Sequence, residues 1–147
     1  MRSMYSNLNF RIRWMTSSFS DLGADELLIE IEMLDSETSA FSIGFERSSF
    51  DIDCATSLFS RCPRLMELHL SQLYTVGLDL DTMKAIGNFV SSPACCLRGL
   101  MLGPNHVAEG GTEVLMIALG GNISLVDLHL NQLICHTRTL RMLAFTY

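Results

Sequence analysis

The sequence contains no apolar run near the ~18 residues that a membrane-spanning helix requires. Its opening residues, Met1 to Asn7, hold no apolar signal core. These absences point away from membrane insertion and secretion and towards a cytoplasmic protein. Basic residues are scarce: Lys and Arg total 10 against 16 Asp and Glu, a net charge of −6, and they cluster no further than pairs such as Arg11 and Arg13. A phosphate-backbone binder needs a basic face, so nucleic acid is not an expected partner.

Also missing is any Cys-x-x-Cys. The 5 cysteines, Cys54, Cys62, Cys95, Cys96 and Cys135, are odd in number and fall mostly in or beside apolar segments. Free, mostly buried thiols in a reducing compartment are expected. Cys95 and Cys96 have no basic neighbour before Arg98 to stabilise a thiolate, so a buried pair is expected rather than a redox centre. No Gly-x-Ser-x-Gly elbow, Gly-x-x-x-x-Gly-Lys loop or Gly-x-Gly-x-x-Gly turn is present. No catalytic residue and no cofactor are therefore expected. His106 and Glu109 lie close on one loop, but no second histidine stands at zinc-protease spacing, and no metal ligand set is expected.

What is present is apolar rhythm. The chain has 147 residues, 48% apolar and 18% charged, which suits one unit that buries roughly 70% of its unfolded surface. Pairs of apolar residues two apart recur at Phe10/Ile12, Phe41/Ile43, Leu68/Leu70, Leu100/Leu102 and Leu128/Leu130, at spacings of 31, 27, 32 and 28 residues. Such period-2 pairs mark short buried strands. Between them lie four-residue apolar rhythms, the mark of a helix. Gly111, Leu115 and Leu119 set the pattern, and Gly23, Leu27 and Ile31 repeat it. Ile29 to Met33 also alternates like a strand; the repeat register selects helix. Thr16 to Ser20 reads as a polar turn, with Ser20 able to cap the helix and Asp21, Asp25 and Glu26 suited to its N-terminus. The acidic run Asp21, Asp25, Glu26, Glu30, Glu32 reads as a solvated helix face. A second helix is expected from Asp51 to Arg61, with Ala55 and Phe59 inward and Cys62-Pro63 closing it. A third runs from Asp81 to Ser91, with Ile86 and Val90 inward and Pro93 ending it. An incomplete last helix is expected from about Thr137 to Tyr147.

The run Leu97-x-x-Leu100-x-Leu102-x-x-Asn105, then Gly111, Leu115, Leu119 and a renewed strand signature at Leu125, resembles the leucine-rich repeat. The alternating unit lengths resemble its long strand-plus-helix form, as in ribonuclease inhibitor-like proteins. The resemblance implies an α/β leucine-rich repeat solenoid with parallel strands on the concave face and helices on the convex face. About four and a half repeats would form one domain over residues 1–147. The family places an asparagine three residues after the last strand leucine, where it bonds the turning backbone. Asn105 fits; Leu73 and Leu133, and Met15 and Glu46 in the first two units, do not. Asn122 also reads as a turn asparagine rather than a glycosylation site. Neither end carries a polar cap, so a fragment of a longer array is expected, and open ends would let copies associate.

The resemblance implies a non-catalytic module that binds another protein through the concave face. The outward residues form three columns. The first is Asn9, Ala40, Glu67, Gly99, Asp127. The second is Arg11, Ser42, His69, Met101, His129. The third is Arg13, Gly44, Ser71, Gly103, Asn131. Arg11, Arg13, Glu67, His69, Ser71, Met101, Asp127, His129 and Asn131 are the expected partner-binding residues. His69 and His129 share a column two strands apart, roughly 10 Å, too far for one zinc ion. Two other roles fit the same resemblance. Cys62-Pro-Arg-Leu65 is similar to repeats behind F-boxes, which implies a substrate receptor of a ubiquitin ligase. The long repeat is also shared with GTPase-activating proteins of the Ran type.

Overall fold

The computed structural model describes residues 15–34, 40–74, 78–130 and 133–134. Their elements run β1 (Met15–Ser20), α1 (Ala24–Glu32), β2 (Ala40–Glu46), α2 (Ile52–Arg61), β3 (Glu67–Ser71), α3 (Leu80–Ser91), β4 (Gly99–Met101), β5 (Asn105–His106), α4 (Gly111–Gly120), β6 (Asp127–His129) and β7 (Leu133–Ile134). Five strands pair in parallel in the order β1-β2-β3-β4-β6, and β5 pairs in parallel with β7. Each strand of the larger sheet lies beside the one before it, with a helix on every crossover.

The alternating leucines place one side of this sheet in the core. Ile43, Phe45, Leu68, Leu70, Leu100 and Leu102 are buried and join one cluster with the inner stripes of the helices. Those stripes are Leu27 and Ile31 of α1; Cys54, Ala55 and Leu58 of α2; Met83, Ile86 and Val90 of α3; and Leu115 of α4. A spacing of three to four residues returns each of these positions to the same helix face. The helix at Ala24–Glu32 agrees with the repeat register, and the alternation of Ile29, Ile31 and Met33 does not make a strand. On α2, Ala55 faces inward as expected, together with Cys54 and Leu58. Phe59 is half-buried and stacks on Phe89 at 4.1 Å between ring centroids.

Capping sets the helix starts. The Asp51 carboxylate accepts from Cys54 N–H at 3.0 Å, and Asp79 accepts from Thr82 N–H at 2.8 Å. On α1, Glu26 Oε1 accepts from Gly23 N–H at 3.0 Å. Gly110 takes φ +86° before α4, a conformation a side chain would strain. Gly111 lets α4 press against its neighbours: a Cβ there would lie 2.9 Å from both Met83 Cγ and Val107 Cγ1.

Two strand expectations need correction. Thr16 to Ser20, expected as a turn, belongs to β1, and Ser20 ends that strand rather than capping α1. The backbone ladder to β2 holds this polar stretch extended, and the Phe19 ring stacks on Phe45 at 5.4 Å. The expected strand around Phe10/Ile12 lies outside the described residues. In the second unit the register is shifted by two: Ile43 and Phe45, not Phe41 and Ile43, stand opposite Leu68 and Leu70. The residues sharing one ladder position are therefore Ser17, Ile43, Leu68, Leu100 and Leu128, at intervals of 26, 25, 32 and 28. The first two intervals become nearly equal, and a clear long-short difference remains only between the last two. The expected helix at Thr137–Tyr147 lies outside the described residues, as does Cys135.

Candidate functional site

The side of the sheet away from the helices carries the residues between the core leucines. Opposite one another stand Ser42, Glu67, Gly99 and Asp127, and next to them Gly44, His69, Met101 and His129. Ser71 stands opposite Glu46. These side chains are half-exposed or exposed, and no described element covers them. This differs from the usual parallel sheet, which is buried on both faces.

Of the expected binding residues, the structure brings Glu67, His69, Ser71, Met101, Asp127 and His129 onto this one surface. Arg11, Arg13 and Asn131 lie outside the described residues. The columns change at their early end. Ser42 joins Glu67 rather than His69, and Gly44 joins His69 rather than Ser71, because of the two-residue register shift.

The surface is small-residued and acidic. Glu67 Oε1 lies 3.8 Å from His69 Nε2, both side chains well exposed. The Glu67 side chain leans towards Gly99, where an added Cβ would meet Glu67 Cγ at 3.4 Å. Asp127 flanks Gly99 from the other side. His69 and His129 are separated by Met101 in the ladder, and among the described residues no group of three His, Cys, Asp or Glu could hold a metal ion.

The rim where the strands turn towards the helices holds a second arrangement, absent from the expected site. Asp21, Arg47 and Gln72 follow β1, β2 and β3 with φ of 61°, 48° and 51°. Their amides donate to Glu46 O, Ser71 O and Pro104 O at 3.1, 3.2 and 2.7 Å. Asp21 receives both Arg47 Nε at 3.1 Å and Nη2 at 3.3 Å, and the Tyr74 hydroxyl at 3.1 Å; Arg47 Nη1 donates to Glu46 at 2.8 Å. The Arg47 and Tyr74 hydrogen bonds hold the Asp21 carboxyl below its ordinary pKa. Partial desolvation and the Asp21 hydrogen bond push the Tyr74 phenol up. These residues link three successive turns. Sequence pattern could reveal them only with the register in hand, since each turn residue follows the second inward side chain by two.

Inside the same turns, Asn105 is buried. Its Nδ2 donates to Leu70 O at 2.8 Å and Leu102 O at 2.7 Å, and its Oδ1 accepts from Leu73 N–H at 2.9 Å. The register shift puts Ser48, not Glu46, in the corresponding place two units earlier. Ser48 is fully buried; its Oγ accepts from Leu22 N–H and donates to Glu46 O, each at 3.1 Å. On the opposite side, Asn122 Nδ2 donates to Val90 O at 2.7 Å, and its Oδ1 accepts from Ser124 and Leu125 N–H. It is the turn residue expected there.

The thiols divide. Cys54 is buried, and desolvation raises its pKa to about 12; burial also pushes Cys62 up. Neither is poised as a nucleophile at neutral pH. Cys95 and Cys96 do not form a buried pair: Cys95 is half-buried beside Asn122 and Ser124, and Cys96 is exposed. No helix among the described residues is long and apolar enough to cross a membrane. No family model matches the chain, and comparison with curated proteins finds no match.

Proposed function

We propose that this chain is a leucine-rich repeat module that recognises another protein through the open face of its parallel sheet. In this reading the strands line the concave side of a solenoid and the helices its convex side. It binds without catalysis and uses no cofactor. The observation that carries the reading is the five-strand parallel sheet with one face packed on helices and the other left to Ser42, Gly44, Glu67, His69, Ser71, Met101, Asp127 and His129. Repeat proteins of this build bind along such extended surfaces. Asn105, bonded to three backbone groups at the turn, agrees with the family motif.

The test is partner capture by the chain from an extract of its host cells. Glu67→Lys with Asp127→Lys is compared with Glu26→Lys with Glu30→Lys on the exposed side of α1. Loss of the captured protein with the first pair and retention with the second is expected. Capture that survives the sheet pair but fails with the helix pair would place the interface on the helices and end this reading.

A further inference from the structure

We infer that Cys95 and Cys96 form a redox-sensitive clasp: oxidation to a disulfide between them loosens the junction of the turns that lead into β4 and β6. This goes beyond the recognition reading and does not rest on it. The two thiols are adjacent and free, Cys95 half-buried and Cys96 exposed, in the turn between α3 and β4. Cys54, by contrast, is buried in the core.

The reduced Cys95 sulfur is part of the junction. It accepts from Leu97 N–H at 3.4 Å and lies 3.8 Å from both Asn122 Nδ2 and Ser124 Oγ. Those two side chains join the next turn to this one: Asn122 Nδ2 donates to Val90 O and Ser124 Oγ to Leu97 O, each at 2.7 Å. One residue on, Arg98 O accepts from Val126 and Asp127 N–H at 2.8 and 2.9 Å, where β6 begins. The Cys96 thiol has a different partner and donates to Ala94 O at 3.6 Å. An S–S bond is incompatible with this arrangement. Adjacent Cα atoms stand about 3.8 Å apart across a trans peptide, below the roughly 4.4–6.8 Å usual for a disulfide. The bridge therefore closes only if the backbone of the turn moves and the Cys95 sulfur leaves Leu97 N–H. Leu97 is fully buried, so its amide loses an acceptor with little water to replace it. A bridge strained in this way is easily reduced, which is the property of a reversible, regulatory disulfide rather than a structural one.

The oxidant is a peroxide. The exposed Cys96 loses its proton and its sulfur attacks one oxygen of hydrogen peroxide. The O–O bond breaks, and the departing hydroxide takes that proton and leaves as water, with Cys96 now a sulfenic acid. The Cys95 sulfur then attacks the Cys96 sulfur. The S–S bond forms, the S–O bond breaks, and the Cys95 proton leaves with the hydroxyl as a second water.

The experiment treats the 147-residue chain with hydrogen peroxide, maps the product by tandem mass spectrometry and follows amide exchange by NMR. A bridge between Cys95 and Cys96, marked by the loss of two hydrogens and reversed by a dithiol, is expected. Exchange at Leu97, Val126 and Asp127 should rise at least about fivefold, with Leu27 and Leu58 unchanged. Cys96→Ser should form no bridge and keep the slow exchange under peroxide, and thermal circular dichroism confirms that it is folded. Cys62→Ser should respond as the parent does. A bridge from either residue to another cysteine, or no bridge at all, overturns the inference. So does a Cys95–Cys96 bridge that leaves the three amides as slow as before.

Discussion

Asn105 and Ser48 perform one task with different side chains. Each turns the chain after a strand by satisfying buried backbone groups that no ladder reaches. Asn105 supplies three hydrogen bonds and Ser48 two. A net hydrogen bond is worth about 1 kcal/mol, and leaving its buried partner unpaired costs more. Asn105→Ala should therefore lower stability by about 2–4 kcal/mol, and Ser48→Ala by about 1–2 kcal/mol. Urea unfolding of both variants measures this. An Asn105→Ala loss no larger than that of Ser48→Ala would contradict the assignment. The Asn105 role was legible in sequence from its place three residues after Leu102. Ser48 was not, because the strand before it was aligned two residues early. At the rim, the Asp21–Arg47 pair is exposed to solvent, so its hydrogen bonds order the turns more than they stabilise the fold.

Among the elements, the helices follow most directly from sequence. Leu27 and Ile31, Ile86 and Val90, and Leu115 all face the core as their spacing requires. Helix starts depend on single side chains. Asp79 rather than Asp81 opens α3, and Asp51 opens α2. Asp51→Ala and Asp79→Ala should each cost about 1 kcal/mol, with Asp81→Ala costing less. Chemical denaturation checks the ranking; an Asp81→Ala loss exceeding that of Asp79→Ala would refute the cap. Strands are harder to place. β1 is largely Thr and Ser and lacks an apolar alternation, so nothing local marks it. It becomes a strand because β2 offers a ladder and Phe45 offers a ring face to Phe19.

For the whole molecule, the sheet divides a wet side from a dry one, and adjacent residues of a strand differ sharply. Leu102 is fully buried, whereas Met101 beside it is half-exposed on the open face. Leu102→Asp buries an unpaired carboxylate at a cost of several kcal/mol, comparable with the roughly 5–15 kcal/mol total of a typical domain. It should abolish the cooperative thermal transition seen by circular dichroism. Met101→Asp should keep that transition. A folded Leu102→Asp chain would show that this side of the sheet is not the core.

The sequence by itself determined the α/β alternation, the inner stripes of the helices, the strand positions at Leu68/Leu70, Leu100/Leu102 and Leu128, and most of the candidate surface. Those features are local: a 3.6-residue or two-residue apolar period assigns an element and its buried side within one stretch of chain. Tertiary structure alone decided the β2 register, the existence of β1, the Ser48 turn and the Asp21–Arg47–Tyr74 link. Phe41, Ile43 and Phe45 alternate in sequence, so sliding by two residues keeps the same pattern, and only the neighbouring ladder selects a register. The features around β1 and its turn depend on partners about 26 to 53 residues away, joined by strand pairing and turn hydrogen bonds that no local pattern encodes.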